Sequence, residues 1–412
     1  MKKRILCLMM TMLMLLSLGQ AVAQGEEVTL TVLWFNDANE SEVFQETVAD
    51  YLEANPNVKL DVQVVAFDGY EKQLKLMLAG GNAPDLARMT TAMMPVFSDS
   101  LEPLEGHADM AEVEKAFAPA MLAFAKNKEG KVVAYPTEAT ANGMLVNKTA
   151  FEKAGIDVVE LSKTWTWAEW EEAAKKVVAA SDTVKYGLAV DFTPHRFSTI
   201  IYQFGGRMLT EDLSKTNFSN EGTVNAIKWF KRMHDEGLVP PSVWLSAEKP
   251  AELFQAGIVA GHIGGSWNIN TYVGVKDFEW TAVQCPKGEI RSSVPGGKFI
   301  AGFKDAKNKD AAMALAAWFS DAEHNAKYCL GTNNLSSRVD VSIEYPANTE
   351  AFQVFSEELK VTPTYTAEEW NTPIVGKIGG AVKENIVEVL LGNMTAEDAA
   401  AEIDRQAEEL MQ

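Results

Sequence analysis

Hydrophobic residues near the start of the chain switch between strand-like and helix-like spacing. Residues 28–35 (VTLTVLWF) begin with alternation and become continuously apolar, which predicts a buried strand. Residues 58–65 have valine or leucine at every second position, which predicts a half-buried strand. Between them, residues 42–52 carry apolar side chains at helical spacing, and Asn55-Pro56-Asn57 ends that helix. The pattern therefore predicts a β-α-β unit.

The same alternation continues further along the chain. Residues 70–78 form another helical stripe that ends at Gly80-Gly81, and Pro84-Asp85-Leu86 opens a further strand. Alternating β and α elements predict an α/β fold with a parallel-type sheet and helices on both faces. In such sheets, ligands bind at the loops that follow the carboxyl ends of the strands.

Several helix starts have capping patterns. Thr166 and Glu169 have the spacing of a capping box, and Trp165 and Trp170 are placed to form the hydrophobic staple around it. These tryptophans are therefore assigned to packing. The same capping-box spacing recurs at Ser320 with Glu323 and at Thr366 with Glu369.

The N-terminus has the three-part pattern of a secretory signal peptide. A basic segment (residues 2–4) precedes an apolar run (residues 5–18) and the small residues of Ala21-Val22-Ala23. The run is shorter than the roughly 20 apolar residues that a spanning helix needs. Cys7 lies inside the run, which argues against a lipoprotein. We expect cleavage after Ala23 and a periplasmic or secreted mature protein without a lipid.

Length, charge and cysteine content narrow the class of protein. The 412 residues exceed the usual size of one domain, so we expect two domains. The formal net charge of −20 argues against nucleic acid and anionic membrane surfaces as partners. An oxidising compartment would permit a disulfide between Cys285 and Cys329, but a core of this size needs none, so we expect two unpaired buried thiols. The sequence has no CxxC, HExxH or histidine cluster, and neither a metal nor a cofactor is expected.

A series of short segments follows in a recognisable order along the mature chain. They are 55–60 (NPNVKL), 79–85 (AGGNAPD), 135–136 (YP), 147–148 (NK), 151–156 (FEKAGI), 164–170 (TWTWAEW), 254–257 (FQAG), 264–267 (GGSW), 295–297 (PGG), 300–302 (IAG) and 336–338 (SSR). Their order and spacing resemble those of the extracellular solute-binding protein family that includes the maltose-binding proteins. After Pro84-Asp85 the maltose-type tryptophan is missing, which argues against an exclusively maltose-like specificity.

The resemblance implies a two-lobed periplasmic-binding-protein (type II) fold with a ligand cleft between the lobes. The expected N-terminal lobe is residues 24–137 plus 291–337, and the expected C-terminal lobe is residues 138–290 plus 338–412. Such proteins bind a sugar, close around it by a hinge motion, and deliver it to the permease subunits of an ABC importer. We expect a monomer that binds a carbohydrate and is not an enzyme.

Sugar binding needs flat aromatic faces for the C–H side of the ring and polar groups for its hydroxyls. Trp267 is the principal aromatic candidate because it follows the small residues of Gly264-Gly265-Ser266, and Asn268 adds an amide. Its position in the family's GxW segment supports this role. The alternative is a core tryptophan at a loop-to-helix junction.

The other candidates lie where predicted elements face the cleft. They are Asn36 and Asp37 after the first strand, Thr90 and Thr91 after the strand that Pro84-Asp85 opens, Glu138 and Thr140 in the first crossing between lobes, Gly296 and Gly297, and Trp370. The resemblance aligns Thr140 with a ligand-binding acid of maltose-type proteins. Six of these candidates also have a structural alternative: a turn for Asn36, Asp37 and the two glycines, a solvated hinge for Glu138, and packing for Trp370.

Other functions remain open from the sequence. A glycoside hydrolase would need two carboxylates about 5 to 9.5 Å apart, which sequence spacing does not exclude. The segment 264–268 (GGSWN) fails the G-x-S-x-G pattern at its last position, and no phosphate-binding loop of the G-x-x-x-x-G-K-[ST] type occurs. A binding protein for a polyamine or a sugar phosphate is a further alternative.

Overall fold

The computed structural model describes residues 26–36 and 39–411. The predicted signal peptide and Asp37 lie outside the described residues. The predicted β-α-β unit is present, and each boundary lies within a few residues of the expected one. Within the described chain, no helix has the length and apolar character needed to cross a membrane.

The described strands form one hydrogen-bonded path in the order β2-β1-β3-β8-β4-β6-β5, with β7 paired to the second half of β4. Their bounds are β1 Val28–Trp34, β2 Val58–Val64, β3 Leu86–Thr90, β4 Tyr135–Asn147, β5 Tyr186–Val190, β6 Val259–Gly265, β7 Trp280–Val283 and β8 Pro295–Gly302.

Helices cover the sheet and connect its strands. Those before β5 are α1 Glu40–Ala54, α2 Phe67–Ala79, α3 Met94–Phe97, α4 Met110–Ala116, α5 Pro119–Phe124, α6 Lys148–Lys153, α7 Val158–Ser162 and α8 Trp167–Ala180, with a short 3-10 helix at Ser98–Ser100. Those after β5 are α9 Pro194–Gln203, α10 Glu221–Asp235, α11 Pro241–Ser246, α12 Pro250–Gln255, α13 Asn268–Tyr272, α14 Lys309–Phe319, α15 Ala322–Thr332, α16 Thr349–Val361, α17 Thr364–Trp370, α18 Pro373–Leu391 and α19 Ala396–Met411.

The long strand β4 divides the sheet into two halves. Residues 135–141 pair with β8, whereas residues 142–147 pair with β6 and β7. The first half of the sheet therefore contains β1, β2, β3 and β8, and the second contains β5, β6 and β7. Parallel pairs join β1 to its neighbours and β5 to β6, but β4 and β8 pair antiparallel. The sheet is thus mixed, unlike the parallel-type sheet expected, because β4 and β8 run against the strands beside them.

The local capping predictions had mixed outcomes. Thr166 and Glu169 form the capping box of α8, and the Trp165 and Trp170 rings pack edge to face at 5.2 Å. The box predicted at Ser320 is wrong because the neighbouring Asp321 caps α15 instead. The box at Thr366 is also wrong, because α17 begins at Thr364 and Glu369 bonds elsewhere.

The two cysteines of the described chain are unpaired and buried, as predicted. Burial raises the pKa of both thiols well above its ordinary value. Cys329 lies on α15 against the first half of the sheet, where its Sγ is 3.4 Å from the Thr137 carbonyl oxygen. Cys285 follows β7 in the second half, where its backbone N–H donates to Glu358.

Candidate functional site

A cavity of about 400 Å³ lies where the two halves of the sheet meet. It is lined by Phe35, Phe67, Thr90, Thr91, Ala92, Thr140, His195, Arg196, Trp267, Gly296, Gly297 and Lys298. Most of these residues end or follow strands, the position at which α/β sheets bind ligands. The lining combines aromatic rings, hydroxyl groups and backbone amides, the mixture typical of small-molecule sites.

The wall from the first half of the sheet presents two aromatic rings and the hydroxyl groups of Thr90, Thr91 and Thr140. Phe35 follows β1 and is fully buried, while Phe67 begins α2 and is 50% exposed. Their ring centroids are 5.1 Å apart. Thr90 and Thr91, at the end of β3, contribute hydroxyl groups beside them.

Two glycines of β8 permit close packing under this wall. A Cβ at Gly296 would lie 2.7 Å from the Thr140 hydroxyl oxygen, and one at Gly297 would lie 2.3 Å from the Glu138 carbonyl oxygen. Both distances are too short for a side chain. Because glycine has no side chain, β8 can approach β4 here and leave room for the cavity.

A buried ion network ties the strands together beneath the cavity. Glu138 on β4 lies 3.1 Å from Nη2 of Arg88 on β3 and 2.9 Å from Nζ of Lys298 on β8. Arg88 also donates to the Phe35 carbonyl and approaches Glu40 at 3.7 Å. Burial alone would raise the pKa of Glu138, but Lys298 and Arg88 outweigh it and bring the pKa down to about 2. Glu138 is therefore a carboxylate at every physiological pH.

The opposite wall is built on the first turn of α9. Thr193 caps this helix by accepting from the Arg196 backbone N–H, and Pro194 occupies the first turn, where its missing N–H costs nothing. His195 and Arg196 therefore project from a fixed helix start into the cavity. Trp267 joins them from the segment after β6.

Hydrogen bonds fix the orientation of His195. Its Nδ1 faces two donors, Arg196 Nη1 at 2.6 Å and Asn142 Nδ2 at 3.2 Å. Nδ1 must therefore accept, and the ring proton lies on Nε2. Burial and the Arg196 charge hold the pKa of His195 well below its ordinary value, so the imidazole is neutral. His195 thus presents a neutral ring to the cavity, and the Pro295 backbone is a further hydrogen-bond partner of that ring.

A second chain of contacts positions Arg196. Its Nε lies 3.4 Å from Asp191, which also lies 2.8 Å from Nε2 of His262. The other ring nitrogen of His262 is 2.6 Å from the Tyr272 hydroxyl. Burial alone would raise the pKa of Asp191, but His262 and Arg196 outweigh it and lower the pKa. Asp191 is therefore a carboxylate that holds the guanidinium in place.

Trp267 lies in close contact with Arg196 and with Gly265. The Arg196 guanidinium carbon is 4.5 Å from the indole centroid, which is a cation–π distance. A Cβ at Gly265 would approach the six-membered ring to 2.0 Å, so only glycine permits this position of the indole.

The predicted site residues have different positions. Six of them line the cavity: Thr90, Thr91, Thr140, Trp267, Gly296 and Gly297. The other described candidates do not line it: Asn36, Glu138, Asn268 and Trp370. Asp37 lies outside the described residues.

The four candidates outside the lining support it from behind. Asn36 accepts from the Ser41 backbone N–H near the start of α1, and Asn268 accepts from the Gly265 backbone N–H. Glu138 is fully buried in the ion network, so the alternative of a solvated hinge residue is wrong. Trp370 donates to Ser198, and its ring lies 4.7 Å from the His195 ring.

Half of the lining residues were not predicted from the sequence: Phe35, Phe67, Ala92, His195, Arg196 and Lys298. A local pattern could have identified two of them. Thr193-Pro194 is a cap followed by a proline, directly after the buried strand β5. Ligands bind where strands end. His195 and Arg196 follow β5 in the same way that Thr91 follows β3, so their position along the chain favours a place in the site.

A larger groove of about 1070 Å³ lies elsewhere, between residues 148–149, 273–281 and 346–351. It belongs to the second half of the sheet alone. Two of its residues, Val159 and Val273, are exposed aliphatic side chains, 44% and 60% accessible. The smaller cavity has residues from both halves and a set of fixed polar groups, and it is therefore the better candidate for a ligand site.

Comparison with known proteins identifies related binding proteins. The chain is 24% identical over 359 residues to a binding protein of Brucella abortus, and the match covers 84% of each chain. An ABC substrate-binding protein of Listeria monocytogenes, solved in complex with cycloalternan, covers 94% of this chain and 99% of its own. It superposes with a TM-score of 0.76 at 24% identity.

A second solved structure is the cyclic alpha-maltosyl-1,6-maltose binding protein of Arthrobacter globiformis. It has a TM-score of 0.80 at 20% identity and covers 93% of this chain and 99% of its own. These similarities show the α/β, two-lobed fold of periplasmic binding proteins. The model of the bacterial extracellular solute-binding proteins matches residues 37–326, and the chain belongs to that family.

Proposed function

We propose that this protein binds a carbohydrate in the 400 Å³ cavity and delivers it to the permease subunits of an ABC importer. The mature protein would begin after Ala23, act outside the cytoplasm, and work as a monomer that does not turn over its ligand. Family membership supports the transport role. The saccharides named for the two similar binding proteins support the ligand class.

One observation carries the proposal: the cavity combines aromatic surface with fixed hydroxyl-binding groups. Phe67 supplies an aromatic ring that is half exposed, and Thr90, Thr91 and Thr140 supply hydroxyl groups. Apolar ring faces match the C–H side of a sugar, and polar groups satisfy its hydroxyls. The cavity volume lies within the roughly 300 to 1,000 Å³ range of ligand sites.

The hinge follows from the same geometry. We assign residues 24–137 plus 291–337 to one lobe and residues 138–290 plus 338–412 to the other. The pairing of β8 with β3 supports placing residues 291–337 with the first lobe. Strand β4 changes partners between Ala141 and Asn142, which supports a point of bending inside this strand.

The alternatives predict different ligands. A polyamine is disfavoured because the described lining contains two cations, Arg196 and Lys298. A sugar phosphate or sugar acid would suit the same cations and remains compatible with the site. A hydrolase would need a pair of reactive carboxylates at the cavity. Glu138, the buried acid beneath it, has its pKa lowered by two cations and cannot act as a proton donor at neutral pH.

A thermal-shift screen tests the proposal. The purified mature protein is mixed with glucose, galactose, maltose, cellobiose, glucuronate, glucose 6-phosphate or spermidine. A ligand that binds only the native state raises the melting temperature. At a ligand concentration of 100 times the Kd, it adds about 2.7 kcal/mol to the free energy of unfolding. We expect a concentration-dependent rise with at least one saccharide and none with spermidine.

Product analysis completes the test. The best saccharide is incubated with the protein for a day, and the mixture is analysed by chromatography. We expect it to be recovered unchanged. Hydrolysis beyond one turnover that a single carboxylate substitution abolishes would replace the binding role with an enzymatic one. A screen in which spermidine alone stabilises the protein would refute the carbohydrate assignment.

A further inference from the structure

The stacking of Arg196 on Trp267 indicates different roles for the two side chains, which the sequence alone did not predict. An indole at a sugar site is expected to cover the sugar ring directly. Here the guanidinium of Arg196 lies over the indole at 4.5 Å. A ligand in the cavity therefore meets a cation already stacked on this ring.

Arg196 is held on its other sides as well. Nη1 donates to His195 Nδ1 at 2.6 Å, and Nε lies 3.4 Å from Asp191. His262 approaches the other oxygen of Asp191 at 2.8 Å and orients the carboxylate. The side chain of Arg196 is 11% exposed and lines the cavity. Stacking, ion pairing and hydrogen bonding together fix the plane of the guanidinium before any ligand arrives.

One end of the guanidinium is left for a ligand. Within the described residues, Nη2 makes no hydrogen bond, whereas Nη1 and Nε face His195 and Asp191. A guanidinium carries five N–H donors in a rigid planar fork. This end, for which the described residues supply no acceptor, belongs to a side chain that lines the cavity and is placed to bind oxygen atoms of a ligand.

The location of Arg196 is also unfavourable for a purely structural role. It lies in the first turn of α9, where the helix dipole disfavours a cation. Burial and, after it, the Arg196 charge lower the pKa of the neighbouring His195 ring and keep it neutral. Local conflicts of this kind are expected at functional sites, where binding compensates for them.

We infer that Arg196 is the principal recognition group of the cavity and that Trp267 is a positioning residue that holds it. This inference rests on the proposed function and specifies the ligand chemistry. The ligand presents two neighbouring oxygen atoms to the free end of the guanidinium. They are either adjacent hydroxyls of a neutral sugar or the carboxylate of a sugar acid, since both match the planar fork.

A double-mutant cycle tests this order of action. The probe is the saccharide of the screen with the largest thermal shift, and affinity is measured by calorimetry. Trp267→Leu should weaken binding by about tenfold in the wild-type protein, and Arg196→Lys by about the same factor, because lysine lacks the fork. If Trp267 acts through Arg196, adding Trp267→Leu to Arg196→Lys should cost less than about twofold more.

A second stacked arginine gives the matched control. Arg207 lies 4.2 Å from the Tyr365 ring centroid and 2.8 Å from Glu369, but it does not line the cavity. Arg207→Lys makes the same chemical change outside the site and should leave affinity unchanged. Arg196→Met serves as a second variant if lysine proves able to replace the fork, and it should also weaken binding.

The outcomes separate cleanly. Losses that multiply in the double mutant mean that the indole contacts the sugar directly, which overturns the inference and leaves carbohydrate binding intact. Unchanged affinity in both Arg196 variants overturns it too. If no saccharide binds the wild-type protein, the proposed function itself is wrong. Where a saccharide binds, the affinities of glucuronate and glucose identify the oxygen pair. If Arg196 binds a carboxylate, Arg196→Met should weaken glucuronate binding more than glucose binding.

Discussion

The two walls of the cavity both contain charged groups, but they hold them differently. In the wall of β3, β4 and β8, Arg88 and Glu138 are at most 1% exposed and are paired across strands. In the wall of α9, Arg196 and Asp191 are 11% and 23% exposed and are joined by a longer contact of 3.4 Å. The first arrangement is enclosed, whereas the second faces the cavity.

This difference separates a structural ion network from a binding group. Removing one partner of a buried pair leaves a charge without compensation, at a cost of about 3 to 5 kcal/mol. A partly exposed pair contributes far less to stability because water screens it. Charge on the first wall should therefore determine folding, and charge on the second should determine affinity. Three substitutions or conditions, in order of expected effect, test this contrast.

The largest effect is expected from Glu138→Gln. The change keeps the shape of the side chain but removes the carboxylate that Arg88 and Lys298 share. We expect a loss of about 3 to 5 kcal/mol in the free energy of unfolding, measured by urea denaturation.

The control for this variant is Glu279→Gln. Glu279 pairs with Lys148 at 3.1 Å but is 73% exposed, so its loss should cost less than about 1 kcal/mol. A Glu138 variant that is as stable as this control would remove the distinction between the two walls.

Acid should expose the same network without any mutation. The pKa of Glu138 is lowered from 4.5 to about 2, so the folded state favours the carboxylate. The resulting stabilisation is present above pH 4.5 and is lost as the pH falls towards 2, and it amounts to roughly 3 kcal/mol. Unfolding measured between pH 6 and 2 should show this slope in the wild type and a shallower one in Glu138→Gln. Parallel pH profiles would contradict the assignment.

The smallest effect should appear on affinity alone, at Phe67. Its ring is 50% exposed and lines the cavity. Phe67→Ala should weaken binding of the best saccharide by about five- to 30-fold, or about 1 to 2 kcal/mol, with little change in melting temperature. Leu76→Ala is the control, because Leu76 is 59% exposed on the same helix but lies outside the lining. Equal effects of the two variants would mean that the cavity is not the ligand site.

Local patterns predicted the fold well because they depend on neighbouring residues. The alternation at 28–35 and 58–65 led to β1 and β2 within a residue, and the cap at Thr166 formed as expected. The cap at Ser320 failed because Asp321 beside it accepts from His324 N–H. Ser320 and Asp321 could each cap this helix, and sequence spacing alone does not predict which of the two side chains accepts the hydrogen bond.

The site was less predictable because its contacts join distant segments. Arg88 and Glu138 are 50 positions apart, and Lys298 comes from another strand. No periodic pattern records that these three meet. In the same way, Glu369 had the spacing of a capping acid but accepts from Tyr202 and Arg207 across the fold. Gly296 and Gly297 were easier to identify, because they belong to the segment 295–297, one of the short segments whose order along the chain resembles that of the family.

The two free thiols have a practical consequence for following this molecule in solution. Cys329 packs beneath one half of the sheet and Cys285 beneath the other, and both are at most 1% exposed. A sulfhydryl reagent can attack them only when the surrounding half opens, since the thiol must be accessible and must lose its proton. The rate of labelling at each cysteine, measured by mass spectrometry, therefore reports how often that half of the sheet opens. The chain already contains one such reporter on each side of β4, with no need to engineer any.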